Sequence, residues 1–421
     1  MAIGTAPASK KNYTAPTDTS GFKTALTSLM VLFFMMGFIT CLNDILVPFL
    51  KKVFVLNYTE AALIQFCFFG AYFVMSVPSS FIVAKLGYKK GMVIGFVTAA
   101  AGCLLFLPAV SLHIYAVFLF ALFILASGIV LLQVAANPYV AILGSPETAS
   151  ARLTLNQALN SMGTFLAPFF GSYFILSALE HATSAEAVEI PYLGLATVLL
   201  VIAFVISRLK LPVIEPEEIE ENTTVGHIKK TSAWQYKHLV FGAIGIFAYV
   251  GGEVAIGSYL VNYFGLPDVA GLGEKDAAHL VAFYWGGAMV GRFLGAYLLS
   301  KIAPGKVLAF NALAVIALVS ISILSKGNVA MYTMIAVGLF NSIMFPTIFT
   351  LSIKNLGAFT TQGAGILSTA IVGGAIIPLL QGTLADIPSI TLRYAFIVPI
   401  ICYAYIVWFG ARGHKTDEEL A

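Results

Sequence analysis

GAYFVMSVPSSFIVAKLGYKKG, residues 70–91, is an apolar, glycine-bearing stretch that runs into a short basic turn at Lys85, Lys89 and Lys90. The same layout recurs at 286–307 as GGAMVGRFLGAYLLSKIAPGKV, with Lys301 standing 216 positions after Lys85. ANPYVAILG (136–144) and FPTIFTLSIKNLG (345–357) form a second matched pair, each with a proline and a closing glycine, and Pro138 and Pro346 are 208 apart. Two pairs at similar offsets argue that the chain is a duplicated unit.

Composition says what kind of unit. Hydrophobic residues make up 59% and charged residues 10% of the 421, against about 25% charged in soluble domains, and the mean hydropathy is +0.92. Runs such as HLVAFYWGGAMVGRFLGAYLLS (279–300), with Arg292 as the one arginine, exclude a large soluble α-protein. Reading about 20 apolar residues per crossing gives spans at roughly 24–50, 60–84, 90–109, 113–137, 151–177 and 191–208, then 238–264, 278–300, 305–324, 329–353, 361–384 and 391–411. The fold class is therefore an all-α membrane protein of twelve transmembrane helices in two six-helix bundles. The domains are a tail at 1–23, a bundle at 24–208, a polar linker at 209–237, a bundle at 238–411 and a tail at 412–421.

With both termini cytoplasmic, 17 of the 23 lysines and arginines lie on the cytoplasmic side, 5 on the outer side and Arg292 within a span. That asymmetry satisfies the positive-inside rule. Residues 1–22 are polar and give no sign of a cleaved signal segment. The net charge of +3 offers no case for nucleic acid. Cys41, Cys67, Cys103 and Cys402 lie in apolar stretches and read as small buried side chains. No Ser–Lys, Ser–His or metal-ligand spacing falls at midmembrane, so the chain is not expected to be an enzyme or to hold a cofactor.

Polar residues inside the spans carry the functional reading. A charge at midmembrane costs at least about 2.5–3.5 kcal/mol on insertion scales, so it faces a cavity or a partner. Asp44 is such a residue, with Asn43 beside it and Thr40 one turn earlier. This cluster can bind a cation or proton; the plainer alternative is an aspartate bonded to a neighbouring helix. Glu253 follows Gly251 and Gly252. It can bind substrate, accept a proton or pair with Arg292. Gln133 and Asn137 share one helix face, as do Gln157 and Asn160, and Asn341 adds a carboxamide in the second half. Carboxamides donate and accept together, which suits sugar hydroxyls; they also join helices in lipid. Trp285 is the first candidate for an aromatic platform under a sugar ring, ahead of Phe38 and Tyr263. Lys354 reads as a cytoplasmic edge residue.

Six stretches together resemble the fucose and glucose/galactose symporter family of the major facilitator superfamily. They are LNDILVPFL (42–50), LIQFCFFGAYF (63–73), ASGIVLLQVAANPYV (126–140), LTLNQALNSMGTFLAPFFGS (153–172), YVGGEVAIGSYLV (249–261) and NSIMFPTIFTLSIKNLG (341–357). The resemblance implies alternating access between the two halves around a midplane site. It further implies import of a monosaccharide of the glucose/galactose type by cation symport, in a bacterial inner membrane, by a monomer. The chain departs from the pattern twice. The acidic residue that usually precedes the basic turn is Ala84 in the first half and Ser300 in the second. The helix 4 glutamate of fucose members is Gln133, and a carboxylate stands instead at Glu253. Losing that titrating group puts sodium slightly ahead of the proton as the coupling ion, with Asp44 as its ligand. The other readings are proton-coupled uptake of fucose, mannose or N-acetylglucosamine, a drug or lipid exporter, and a sugar sensor that does not transport.

Overall fold

The computed structural model describes residues 25–41, 58–112, 114–171, 189–212 and 231–420. Twelve long helical segments stand among them: α1 (Ala25–Cys41), α2 (Tyr58–Leu86), α3 (Tyr88–Leu112), α4 (Tyr115–Ile142), α5 (Ala149–Gly171), α6 (Glu189–Arg208), α7 (Lys237–Gly265), α8 (Glu274–Leu299), α9 (Pro304–Leu324), α10 (Gly327–Ser352), α11 (Gly357–Ala385) and α12 (Thr391–Gly413). No strand occurs among the described residues. Eight of the helices are long and apolar enough to cross a membrane by composition. Helices α5 and α8 are not, because they carry the polar residues of the interior: Asn156, Gln157, Asn160 and Ser161 on α5, and Arg292 on α8.

The duplication is visible in the packing. In the first half α2 lies on α4, and α3 on α4 and α6; in the second half α8 lies on α10, and α9 on α10 and α12. The halves meet through α2 on α11 and through α5 on α8, contacts that the same repeat relates. Lipid gives helices no hydrophobic reason to associate, so small residues and interhelical hydrogen bonds must hold them. The crossing of α1 and α5 illustrates this. A Cβ added at Gly37 would lie 2.0 Å from the Asn160 carbonyl oxygen, and one at Gly163 would lie 2.1 Å from that of Phe34. The backbones touch, and Asn160 Nδ2 donates to the Phe33 carbonyl at 3.0 Å.

Prolines have unequal effects. Helix α4 runs through Pro138 without interruption. Helix α10 is broken: it stops at Asn341 and resumes at Met344, two residues before Pro346. A proline has no N–H for the carbonyl four residues earlier, here that of Ser342. All four cysteines are free, with Cys103 and Cys402 buried and Cys41 and Cys67 half-buried.

At the end of the second half that the charge pattern assigns to the outside, Arg393 is buried in the first turn of α12. Its guanidinium pairs with Asp268 at 2.9 Å and donates to the Ser325 carbonyl at 2.8 Å. Arg393→Ala takes the donor from exposed Asp268 and from the half-buried Ser325 carbonyl, at about 0.5–1.5 kcal/mol per net hydrogen bond. The expected result is a lower unfolding midpoint in a thermal scan of detergent-solubilised protein. An unchanged midpoint would mean that water replaces the guanidinium at no cost. At the opposite end Lys354 pairs with Glu419 at 2.5 Å, in keeping with an edge position.

Candidate functional site

The sequence candidates separate into several settings. Asn43 and Asp44 lie outside the described residues. Thr40, in the last turn of α1, is half-buried and donates to the Met36 carbonyl at 2.8 Å, which leaves its oxygen lone pairs free to accept. Phe38 is half-buried and stacks on Phe34 with centroids 6.2 Å apart.

In the first half, half-buried Gln133 donates through Nε2 to the Tyr72 hydroxyl at 2.8 Å. Asn137, one turn further on α4, is fully buried and neither its Nδ2 nor its Oδ1 has a partner. Gln157 is 9% exposed, and its carbonyl accepts the Ser161 hydroxyl at 3.2 Å. Asn160 Nδ2 donates to α1, as described above, so at least part of its role is to join helices.

The second half holds one connected polar cluster. Tyr249, Glu253 and Gly257 lie on one face of α7, a turn apart. The Tyr249 hydroxyl is 2.7 Å from Glu253 Oε1 and 3.0 Å from the Asn341 carbonyl oxygen. Asn341 is fully buried, and its Nδ2 donates to the Tyr284 hydroxyl at 2.8 Å. Tyr284 meets Trp285 edge to face with centroids 5.0 Å apart. Trp285 is 43% exposed and lies over Gly257, where an added Cβ would be 3.0 Å from the indole. An aromatic face therefore stands one turn along α7 from the Glu253 carboxylate. Tyr403 of α12 packs against Gly252 behind them. A half-buried carboxylate held by a phenol and flanked by an open indole can bind sugar hydroxyls and a sugar ring face, and it can exchange a cation or proton.

Arg292 joins the halves. Its Nε donates to the Ser342 carbonyl of α10 at 3.2 Å, and its Nη1 reaches the Gln157 carbonyl at 3.5 Å and the Ser161 hydroxyl of α5. The sequence reading offered Glu253 as its ion-pair partner; in the structure its hydrogen bonds go to carbonyl and hydroxyl oxygens. Nearer the basic turns, Ser150 of α5 and Thr350 of α10 share a hydroxyl–hydroxyl bond at 2.6 Å, and α11 seats Gly365 against Ser76 and Ser80 of α2. These neutral contacts close the end where Ala84 and Ser300 replace the acidic residues of a charged latch. No cluster of three or more metal-ligating side chains occurs among the described residues.

Sequence reasoning brought Glu253, Asn341 and Trp285 to one place and missed Tyr249, Tyr284, Tyr72 and Ser161. Tyr249 was findable, because it stands four residues before a membrane-buried glutamate on the same helix. Tyr284 and Tyr72 carry no such mark.

Residues 28–377 match the Major Facilitator Superfamily. The chain is 57% identical over 417 residues to a glucose/galactose transporter of Brucella abortus, covering 98% of each. It is 34% identical over 409 residues to the L-fucose-proton symporter of Escherichia coli, covering 92% of each. Among solved structures it is similar to a major facilitator transporter in the outward conformation, with a TM-score of 0.84, 31% identity, and coverage of 93% of this chain and 99% of that one. Identity at this level along nearly the whole length settles the family: this multi-pass membrane protein belongs to the major facilitator superfamily, in the branch of the glucose/galactose and fucose transporters.

Proposed function

We propose that the chain imports a monosaccharide of the glucose/galactose type by cation symport with alternating access. The observation that carries this reading is the 57% identity, across 98% of both chains, to a protein named a glucose/galactose transporter. The cluster around Glu253 supports it, since it offers a carboxylate, phenols and an indole face along two turns of α7. On this reading sugar binds between the halves, at Gln133, Gln157, Asn160, Glu253 and Trp285, with Asn137, Asn341 and Phe38 around them. Asp44, with Asn43 and Thr40, holds the coupling ion, and Glu253 shares that role. The protein sits in a bacterial inner membrane as a monomer, with both termini and the linker at 209–237 in the cytoplasm.

Sodium remains slightly ahead of the proton, for the reason given by Gln133. The proton reading has its own support in the fucose-proton relative at 34% identity. Glucose uptake into proteoliposomes separates them. Accumulation under a sodium gradient at equal pH assigns sodium; accumulation under a pH gradient without sodium assigns the proton. No accumulation under either, with folded protein, rejects glucose as the substrate or transport as the class. Gln157→Ala is expected to weaken glucose binding by roughly 10-fold, the worth of one or two lost hydrogen bonds. An unchanged dissociation constant in a glucose titration would remove Gln157 from the site.

A further inference from the structure

The break in α10 is a point where two buried carbonyls have lost their ladder. Asn341 is fully buried and Ser342 is 2% exposed, and an unpaired carbonyl in a membrane interior costs several kcal/mol. Each is filled by a side chain with a second attachment elsewhere. Arg292 fills Ser342 and also holds α5 of the other half. Tyr249 fills Asn341 and also faces Glu253.

Tyr249 has a single hydroxyl proton and two acceptors, so it donates fully to one at a time. A charged Glu253 takes it, because a bond to an ionised acceptor is roughly twice as strong as a neutral one. A Glu253 that is protonated, or engaged by a cation or a sugar hydroxyl, releases it to the Asn341 carbonyl. The groups around Glu253 that can alter this choice are Tyr249 on its own helix, Arg292 and Tyr284 on α8, and Tyr403 on α12.

We propose that Tyr249 is a positioning residue that relays the state of Glu253 to the break in α10, and through Arg292 to the bridge that holds α5 at the closed end. When Tyr249 supports the break, the α10 turn that presents Ser342 is fixed; when it turns to Glu253, that turn is released and the Arg292 bridge shifts with it. The relay rests on the symport reading for its purpose, but its wiring can be read without substrate.

The experiment uses the full chain in nanodiscs, with the four native cysteines replaced and the pair Ser150→Cys and Thr350→Cys introduced at the closed end. Oxidative cross-linking of the pair reports how often that end is shut. Without ligand, Glu253→Gln is expected to change cross-linking by about threefold or more, the size of coupling seen between residues sharing one network. In a Tyr249→Phe background the same substitution is expected to change nothing. A Glu253→Gln effect that persists at full size with Tyr249→Phe overturns the relay, as does the absence of any effect in the parent. Should Tyr249→Phe fail to fold, the same comparison in an Arg292→Lys background tests the other arm, since an ammonium cannot span Ser342 and Ser161 as the guanidinium fork does. A second readout adds transport. With glucose and the coupling ion present, Tyr249→Phe is expected to lose accumulation more steeply than glucose exchange. If the parent accumulates no glucose, the symport reading fails while the ligand-free comparison still decides the relay.

Discussion

Asp44→Asn is expected to abolish accumulation while leaving the protein folded. The substitution is nearly isosteric and removes only the charge, so α1 keeps its packing on α5. A symporter that carries one cation per sugar gains about 2.3 kcal/mol per 100 mV of membrane potential, which corresponds to a roughly 50-fold concentration ratio at 1.36 kcal/mol per decade. Without an ion bound at Asp44 that ratio falls to one, because sugar then moves only down its own gradient. The measurement is steady-state glucose in proteoliposomes with an imposed potential and the coupling ion on one side. Exchange of labelled glucose, which needs no net ion movement, is expected to survive in reduced form. Full accumulation by the variant would transfer the ion site from Asp44 to Glu253. Asp44 lies outside the described residues, so its midmembrane place in the sequence supplies the argument.

Gly163→Val is expected to be strongly destabilising. The new Cβ would stand 2.1 Å from the Phe34 carbonyl oxygen and 2.9 Å from the Phe38 nitrogen. Both are backbone atoms, and no rotamer change relieves the overlap. Helix α1 must move away, which strains the Asn160–Phe33 bond and the contact of Thr164 with the Gly37 carbonyl at 3.3 Å. Overpacking of about 1–3 kcal/mol, with about 0.6 kcal/mol for each membrane hydrogen bond, sums to the order of 2–4 kcal/mol. Thermal unfolding of purified protein checks it, with Gly194→Val as control. Gly194, on α6, has nothing within 4 Å of an added Cβ, and its midpoint should stay in place. Equal loss in both variants would mean that valine lowers stability for a reason other than contact.

The helix count, the duplication and the membrane setting were legible because lipid enforces long apolar segments and the basic turns recur at one offset. Glu253 was legible as well, since a buried carboxylate is conspicuous in so apolar a chain. The partners were not. Tyr249 and Tyr284 are two of the chain's 18 tyrosines, and only the crossing of α7, α8 and α10 selects them. Pro346 removes one backbone donor from α10, yet nothing in the sequence says that Arg292 and Tyr249 would fill the carbonyls at the break. Asn160 was read as a sugar contact and is seen holding the backbone of α1; carboxamides serve both ends, and spacing does not distinguish them.

The neutral character of the closed end affects how the protein responds to its surroundings. Among the described residues, the short contacts that join the halves there set hydroxyl on hydroxyl, glycine on serine and the Arg292 guanidinium on uncharged oxygens, while Glu147 feels the charge of Lys354 across the seam. Contacts of this kind are hardly weakened by dissolved ions, whose screening acts on pairs of exposed charges. Those neutral contacts therefore keep their strength as the salt of the surrounding solution changes, whereas the attraction between Glu147 and Lys354 across the seam is open to screening.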